Sequence, residues 1–224
     1  MRIENQVRWI YKPLVFVGAL LPLARLVAGG FEVVGHSLGA DPINEIQDVL
    51  GKWALNFLLI TLCVTPLRQI SGMNALLRFR RMLGLFAFVY AGLHFLTYVL
   101  LDRSLDLATL LEDVVRRPYI TIGFTALAML VPLAATSTNR MMRRLGRRWQ
   151  TLHRLVYPIA ILGVWHYYWQ VKADVREPLI YVGVITLLLG YRCVVWLGRL
   201  NASALRRTAT GASRLAGARD GVTS

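Results

Sequence analysis

The chain has 224 residues, 56% hydrophobic and 17% charged, against about 25% charged in an average soluble domain. Its apolar residues come in long blocks, which excludes a soluble enzyme, a disordered tail protein and a secreted disulfide scaffold. Lys and Arg outnumber Asp and Glu by 26 to 12, a net charge of +14; in a chain of apolar blocks that surplus marks cytoplasmic loops and anionic lipid contact, not nucleic acid.

A crossing helix needs about 20 mostly apolar residues, and the segments 10–28, 46–67, 82–101, 119–135, 152–169 and 179–197 qualify. The first carries Pro13, Pro22 and Arg25; with no small-residue cleavage site it reads as a crossing and not as a removable signal. The loop 29–45 has no Lys or Arg but holds Glu32, Asp41 and Glu45. Its Asp41-Pro42 pair predicts a turn ahead of the second crossing, and its His36 reads as a solvated loop residue. Cys63 and Cys193 lie inside apolar runs, with neither disulfide nor metal spacing, and no C-x-x-C-H run offers covalent haem attachment.

The basic residues alternate from loop to loop. Arg68, Arg78, Arg80 and Arg81 follow the second crossing, and Arg140, Arg143, Arg144, Arg147 and Arg148 follow the fourth, without an acid among them. The loop 102–118 mixes three Arg with four acids, and 171–177 is balanced. The positive-inside rule then puts both termini in the cytoplasm. Residues 201–224, rich in Ala, Gly, Ser, Thr and Arg, are expected to form a disordered basic tail. The expected fold is an all-α integral membrane bundle of six transmembrane helices within residues 1–200, with no obvious internal repeat.

Of the histidines, His94, His153 and His166 lie in or at the edge of crossings. An ionisable residue at membrane depth is a functional candidate, and a neutral imidazole is a natural axial ligand for haem iron. Counting outward at about 1.5 Å per residue, His94 lies roughly 20 Å beyond Arg81 and His166 roughly 21 Å beyond Leu152. Two helices thus carry a histidine at one depth, as bis-histidine ligation of a haem b requires. The plainer alternative is a pair of core histidines bonded to carbonyls or Tyr hydroxyls.

His153 stands roughly 20 Å from His166 along the same helix and some 140° around it, with Pro158 between them. The matching depth on the third crossing holds Arg80 and Arg81, which cannot ligate iron, and Met82. His153 is therefore a ligand, a propionate partner or an interfacial side chain. Gly84, Gly92 and Gly163 can let a flat porphyrin approach the backbone, or simply pack helices. Trp165, Tyr167, Tyr168 and Trp169 read as an aromatic belt. Arg147, Arg148 and Arg154 read as topology signals that can also bind propionates or lipid phosphates.

The run Arg148-Trp149-Gln150-Thr151-Leu152-His153-Arg154-Leu155-Val156-Tyr157, followed by His166-Tyr167, resembles the ferric-reductase-like transmembrane superfamily, and most closely its MsrQ (YedZ) branch. Gly39-Ala40-Asp41-Pro42, Arg81-Met82-Leu83-Gly84-Leu85, Arg117-Pro118-Tyr119-Ile120-Thr121-Ile122-Gly123, Thr136-Ser137-Thr138 and Pro178-Leu179-Ile180-Tyr181 are similar to that branch too. The likeness covers about residues 5–200. It implies a haem-binding subunit of a periplasmic protein-methionine-sulfoxide reductase system in the bacterial inner membrane. Such a subunit passes electrons from the quinone pool, or from a cytosolic flavin reductase, to a molybdopterin partner, MsrP, that repairs oxidised proteins.

The resemblance implies His94, His153 and His166 as haem ligands and associates the family with FMN, although the sequence holds no Gly-rich flavin motif and no soluble nucleotide domain. Larger superfamily members carry two histidines on each of two helices. The inner one of the third crossing is missing here, which leaves one haem expected and a second open. Electrons would enter near His153 at the Arg-rich face and leave from the outer haem, over the loops 29–45 and 102–118. No substrate catalysis of its own is expected. The alternatives are a small transporter that uses intramembrane His and Arg as a relay, and a non-redox membrane anchor.

Overall fold

The structure, a computed structural model, describes residues 6–31, 38–171 and 174–220; the expectations for Glu32 and His36 fall outside them. Every regular element among the described residues is helical. A π turn at Val7–Tyr11 leads into α1, Lys12–Gly30, with Pro13 in its first turn, where a missing N–H costs nothing. Helix α2, Pro42–Ser71, starts where the sequence predicts a turn. Asp41 is its N-cap, accepting from the Asn44 N–H at 3.2 Å, and Pro42 fills the first position. It ends at Gly72, whose φ of +71° and N–H to the Arg68 carbonyl at 2.9 Å form a left-handed cap.

Helix α3, Leu77–Thr97, follows a 3₁₀ turn at Asn74–Leu76 and continues into a π turn at Tyr98–Asp102. The short helix α4, Leu107–Arg116, is capped by Asp106 and leads through Arg117 into α5, Pro118–Ala135. Two more short helices, α6 at Asn139–Leu145 and α7 at Arg147–Leu152, precede a 3₁₀ turn at His153–Leu155. Helix α8, Val156–Gln170, and helix α9, Arg176–Asp220, complete the order.

Five helical segments among the described residues are long and apolar enough to cross a membrane: Trp9–Gly30, Pro42–Ser71, Asn74–Asp102, Pro118–Ala135 and Arg176–Ala202. The expected fifth crossing, 152–169, is not among them, because the 3₁₀ turn breaks it and leaves α8 with 15 residues. Pro158 accounts for the break. It sits in the first turn of α8, and its ring would clash with the carbonyl of residue 154 in a continuous α-helix.

Residues Met1–Ile185 form one compact unit and Thr186–Ser224 another. In the second, the backbone of 201–220 is helical where the sequence leads one to expect disorder. In the first, α2 packs along α3 and α5 along α8, while α3 touches α5 and α2 touches α8. These contacts close a ring of four helices. Phe57 of α2 lies against Phe86 and Tyr90 of α3 at 5.6 and 5.2 Å between ring centres. Phe16 of α1 meets Phe86 at 5.2 Å. Tyr90, 1% exposed, donates its hydroxyl to the Ala19 carbonyl at 2.7 Å and so fastens α1 to α3. Cys63 and Cys193 are both free thiols.

Candidate functional site

His94 projects from α3 toward α2, where its Nδ1 lies 2.8 Å from the Gln47 carbonyl. His166 projects from α8 toward α5, where its Nδ1 lies 2.7 Å from the Tyr119 carbonyl. A carbonyl only accepts, so each ring carries its proton on Nδ1 and keeps the Nε2 lone pair for something else. The two ring centres are 6.2 Å apart and their planes meet at 78°. Both rings line a cavity of about 380 Å³ inside the four-helix ring, with Leu55, Leu58, Ala91, Phe95 and Leu127 among its apolar walls. That volume lies in the roughly 300–1,000 Å³ range of cofactor sites.

Two imidazoles that grip one metal from opposite sides stand about 6 Å apart between centres, given nitrogen–metal bonds of about 2 Å and half a ring on each side. The observed spacing fits. Among the described residues no group of three or more His, Cys, Asp or Glu converges on a metal position. A metal held by two imidazoles alone must bring the rest of its coordination with it, as a porphyrin does. The histidine pair and the apolar cavity therefore fit a haem.

One end of the cavity is charged. Lys52 bridges Asp48 at 2.9 Å and Glu177 at 2.7 Å, which ties the start of α9 to α2. On the other side Asp113, 6% exposed, receives Arg103 Nε at 2.8 Å, Arg117 Nε at 2.9 Å and the Tyr98 hydroxyl at 2.6 Å. Arg103, Arg117 and Tyr98 line the cavity, so this cluster forms part of its rim. Carboxylates and cations neutralise one another there at direct contact distance.

The structure keeps His153 apart from the other two histidines. It lies in the 3₁₀ turn beside a second cavity of about 180 Å³, lined by Arg80, Arg81, Ser137, Met142 and Trp149. Its Nδ1 is 3.1 Å from the Trp149 carbonyl, its ring stacks on the Trp149 indole at 3.9 Å, and Ser137 Oγ lies 3.5 Å from Nε2. The Trp149 indole in turn donates to the Thr136 carbonyl at 3.0 Å, and Arg81 bonds Asn139.

Of the glycines singled out in the sequence, Gly163 lines the first cavity and Gly84 the second, while a Cβ on Gly92 would meet nothing within 4 Å. The glycines that touch the histidines are others. A Cβ on Gly51 would come within 3.1 Å of the His94 ring, and one on Gly123 within 2.8 Å of the His166 ring. The sequence carried a signal for them. His94 follows Gln47 by 47 residues and His166 follows Tyr119 by 47, with a glycine one helical turn after each carbonyl residue.

Residues 50–164 match the model of the ferric reductase like transmembrane component family. The chain is 48% identical over 200 residues to the protein-methionine-sulfoxide reductase heme-binding subunit MsrQ of Xanthomonas euvesicatoria pv. vesicatoria, covering 88% of this chain and 92% of that one. It is 55% identical over 172 residues to the MsrQ of Xanthomonas campestris pv. campestris, covering 77% and 76%. With the MsrQ of Bordetella pertussis it shares 48% identity over 194 residues, covering 86% and 93%. On both the family model and these relatives, the chain belongs to the MsrQ branch of the ferric-reductase-like transmembrane family.

Proposed function

We propose that the chain is a haem-binding electron-transfer subunit of a protein-methionine-sulfoxide reductase system. One observation carries the reading: imidazoles on two separate helices stand 6.2 Å apart, each fixed through Nδ1 to a carbonyl. The relatives' shared name, heme-binding subunit, supports it. A haem b held by His94 and His166 would supply a one-electron carrier, its potential tuned by those two ligands. The protein's part is to insulate and orient. His94 and His166 offer neutral Nε2 donors, the Gln47 and Tyr119 carbonyls fix their tautomer, and the apolar wall excludes water.

We place the chain in the bacterial inner membrane with six crossings and both termini in the cytoplasm. The Arg80–Arg81 end of α3 and the arginines of α6 and α7 support an inner face at that end of the bundle. Helix α8 supplies the sixth crossing, because α7, the 3₁₀ turn and α8 follow one another from Arg147 to Gln170. Electrons come from the quinone pool or a cytosolic flavin reductase on the His153 side and go to a periplasmic MsrP on the other. His153 belongs to the entry side, as a ligand or the neighbour of one. No residues are assigned to FMN.

A reduced-minus-oxidised absorption spectrum of the detergent-purified protein tests the reading against the transporter and the anchor, both of which predict a colourless protein. The expected result is a low-spin bis-imidazole haem signal that His94→Ala and His166→Ala each abolish and His153→Ala leaves in place. A normal bis-histidine spectrum after either of the first two changes overturns it.

A further inference from the structure

The two halves of the site are built alike. In each, a helix carbonyl receives the Nδ1 of a histidine from the neighbouring helix, and a glycine stands one turn beyond that carbonyl on the same helix. The first set is Gln47, Gly51 and His94, the second Tyr119, Gly123 and His166, and in both the histidine follows the carbonyl residue by 47 positions. We infer that Gly51 and Gly123 are the positioning residues of the pair: each clears the space through which an imidazole reaches its carbonyl, and so sets the ring plane and the direction of Nε2. The inference rests on the haem reading above.

Steric distances decide the argument. A Cβ at position 123 would lie 2.8 Å from both Cε1 and Nδ1 of His166, nearer than real Cβ atoms approach, and one at position 51 would lie 3.1 Å from the same two atoms of His94. An imidazole has no flexible far end to bend aside. To make room, the ring must swing about its χ angles, which lengthens or breaks the Nδ1 bond to the carbonyl and turns Nε2 away from its partner. Gly18 of α1, by contrast, would meet nothing within 4 Å. A glycine inside a helix otherwise weakens it relative to alanine; at positions 51 and 123, unlike position 18, an imidazole crowds the place an alanine Cβ would take.

The ring planes give a readout that a merely structural role would not move. Axial imidazoles near perpendicular, here at 78°, make a ferric low-spin haem strongly anisotropic in electron paramagnetic resonance, with one large g value. Rings turned toward parallel make it rhombic. The experiment compares the wild-type protein with Gly51→Ala, Gly123→Ala and, as a control, Gly18→Ala. Each is purified from membranes and measured for haem content, hemin affinity after haem removal, paramagnetic resonance and midpoint potential.

The expected result is hemin affinity lowered roughly 10–100-fold, the range seen when a partner behind a metal ligand is lost. It comes with a moved large-g feature, a larger effect for Gly123→Ala than for Gly51→Ala, and no change for Gly18→Ala. Unchanged affinity and resonance in both variants, beside a normal wild-type signal, overturn the inference and leave ligation by His94 and His166 standing. A wild-type protein without a bis-imidazole signal sinks the haem reading instead. If Gly123→Ala fails to accumulate in the membrane, the double variant Gly123→Ala/His166→Ala decides. Recovered accumulation means that the ring is what clashes, and no recovery overturns the inference.

Discussion

At Asp113 three side chains from three different segments meet one carboxylate. Arg103 reaches it from the turn after α3, Arg117 from the link to α5 and Tyr98 from the π turn. The carboxylate is 6% exposed, so its charge is stable there only because two guanidiniums and a hydroxyl satisfy it. Just before it, Ser104 and Leu105 hold φ values of 48° and 65°, a left-handed conformation that such residues adopt only when their surroundings impose it. Asp113→Ala should therefore loosen the whole strap from Tyr98 to Pro118. A loss of about 1–3 kcal/mol is expected, because the arginines it leaves behind are partly exposed and water can take them. A thermal melt of the purified protein reads this as a lower midpoint.

Residue-level legibility divides along chemical lines. His94 and His166 were legible because an imidazole in an apolar run is expensive, and their equal depth follows from a count along two helices. Gly51 and Gly123 were missed: the equal 47-residue spacing marks them only once the carbonyl partner of each histidine is known, because their role lies in the Cβ they lack, facing a side chain on another helix.

Among the elements, α2, α3 and α5 begin and end close to where their apolar blocks do, since a block of about 20 residues leaves little choice in a bilayer. Helix α8 departs from its block. Hydropathy sums over 152–169 without sensing that Pro158 stops the α pattern from running back through His153–Leu155. Helix α4 was read only as a charged loop, yet Asp106 accepts from the Ala108 and Thr109 N–H groups at 3.0 and 3.4 Å and starts a helix there. The start of α9 is tied across the bundle to α2 by Lys52 to Glu177 at 2.7 Å and by the Tyr181 hydroxyl to Asn56 Oδ1 at 3.0 Å. Glu177→Gln should weaken it by up to about 1 kcal/mol, in line with partly exposed ion pairs. Hydrogen exchange at 176–181 should then quicken by up to roughly five-fold, with α2 unaffected.

For the whole molecule, the charge distribution is the coarse determinant. Arg80 and Arg81 line the second cavity, with the arginines of α6 and α7 beside it in the chain, while the mixed-charge rim of Arg103, Asp113 and Arg117 borders the first. Reporter fusions test the topology that this implies. A fluorescent protein fused after residue 200 should fold and glow, and alkaline phosphatase inserted in the loop 102–118 should be active. The reverse pattern would turn the molecule over and put the histidine pair near the cytoplasm.

Each imidazole is tethered within its own hairpin, His94 to α2 and His166 to α5, and neither is tied to the opposite one. The two hairpins therefore face each other across a seam, and whatever occupies both Nε2 atoms fastens that seam as a rivet does. Take the rivet out, and the line between the hairpins is where the four-helix ring has least to hold it shut.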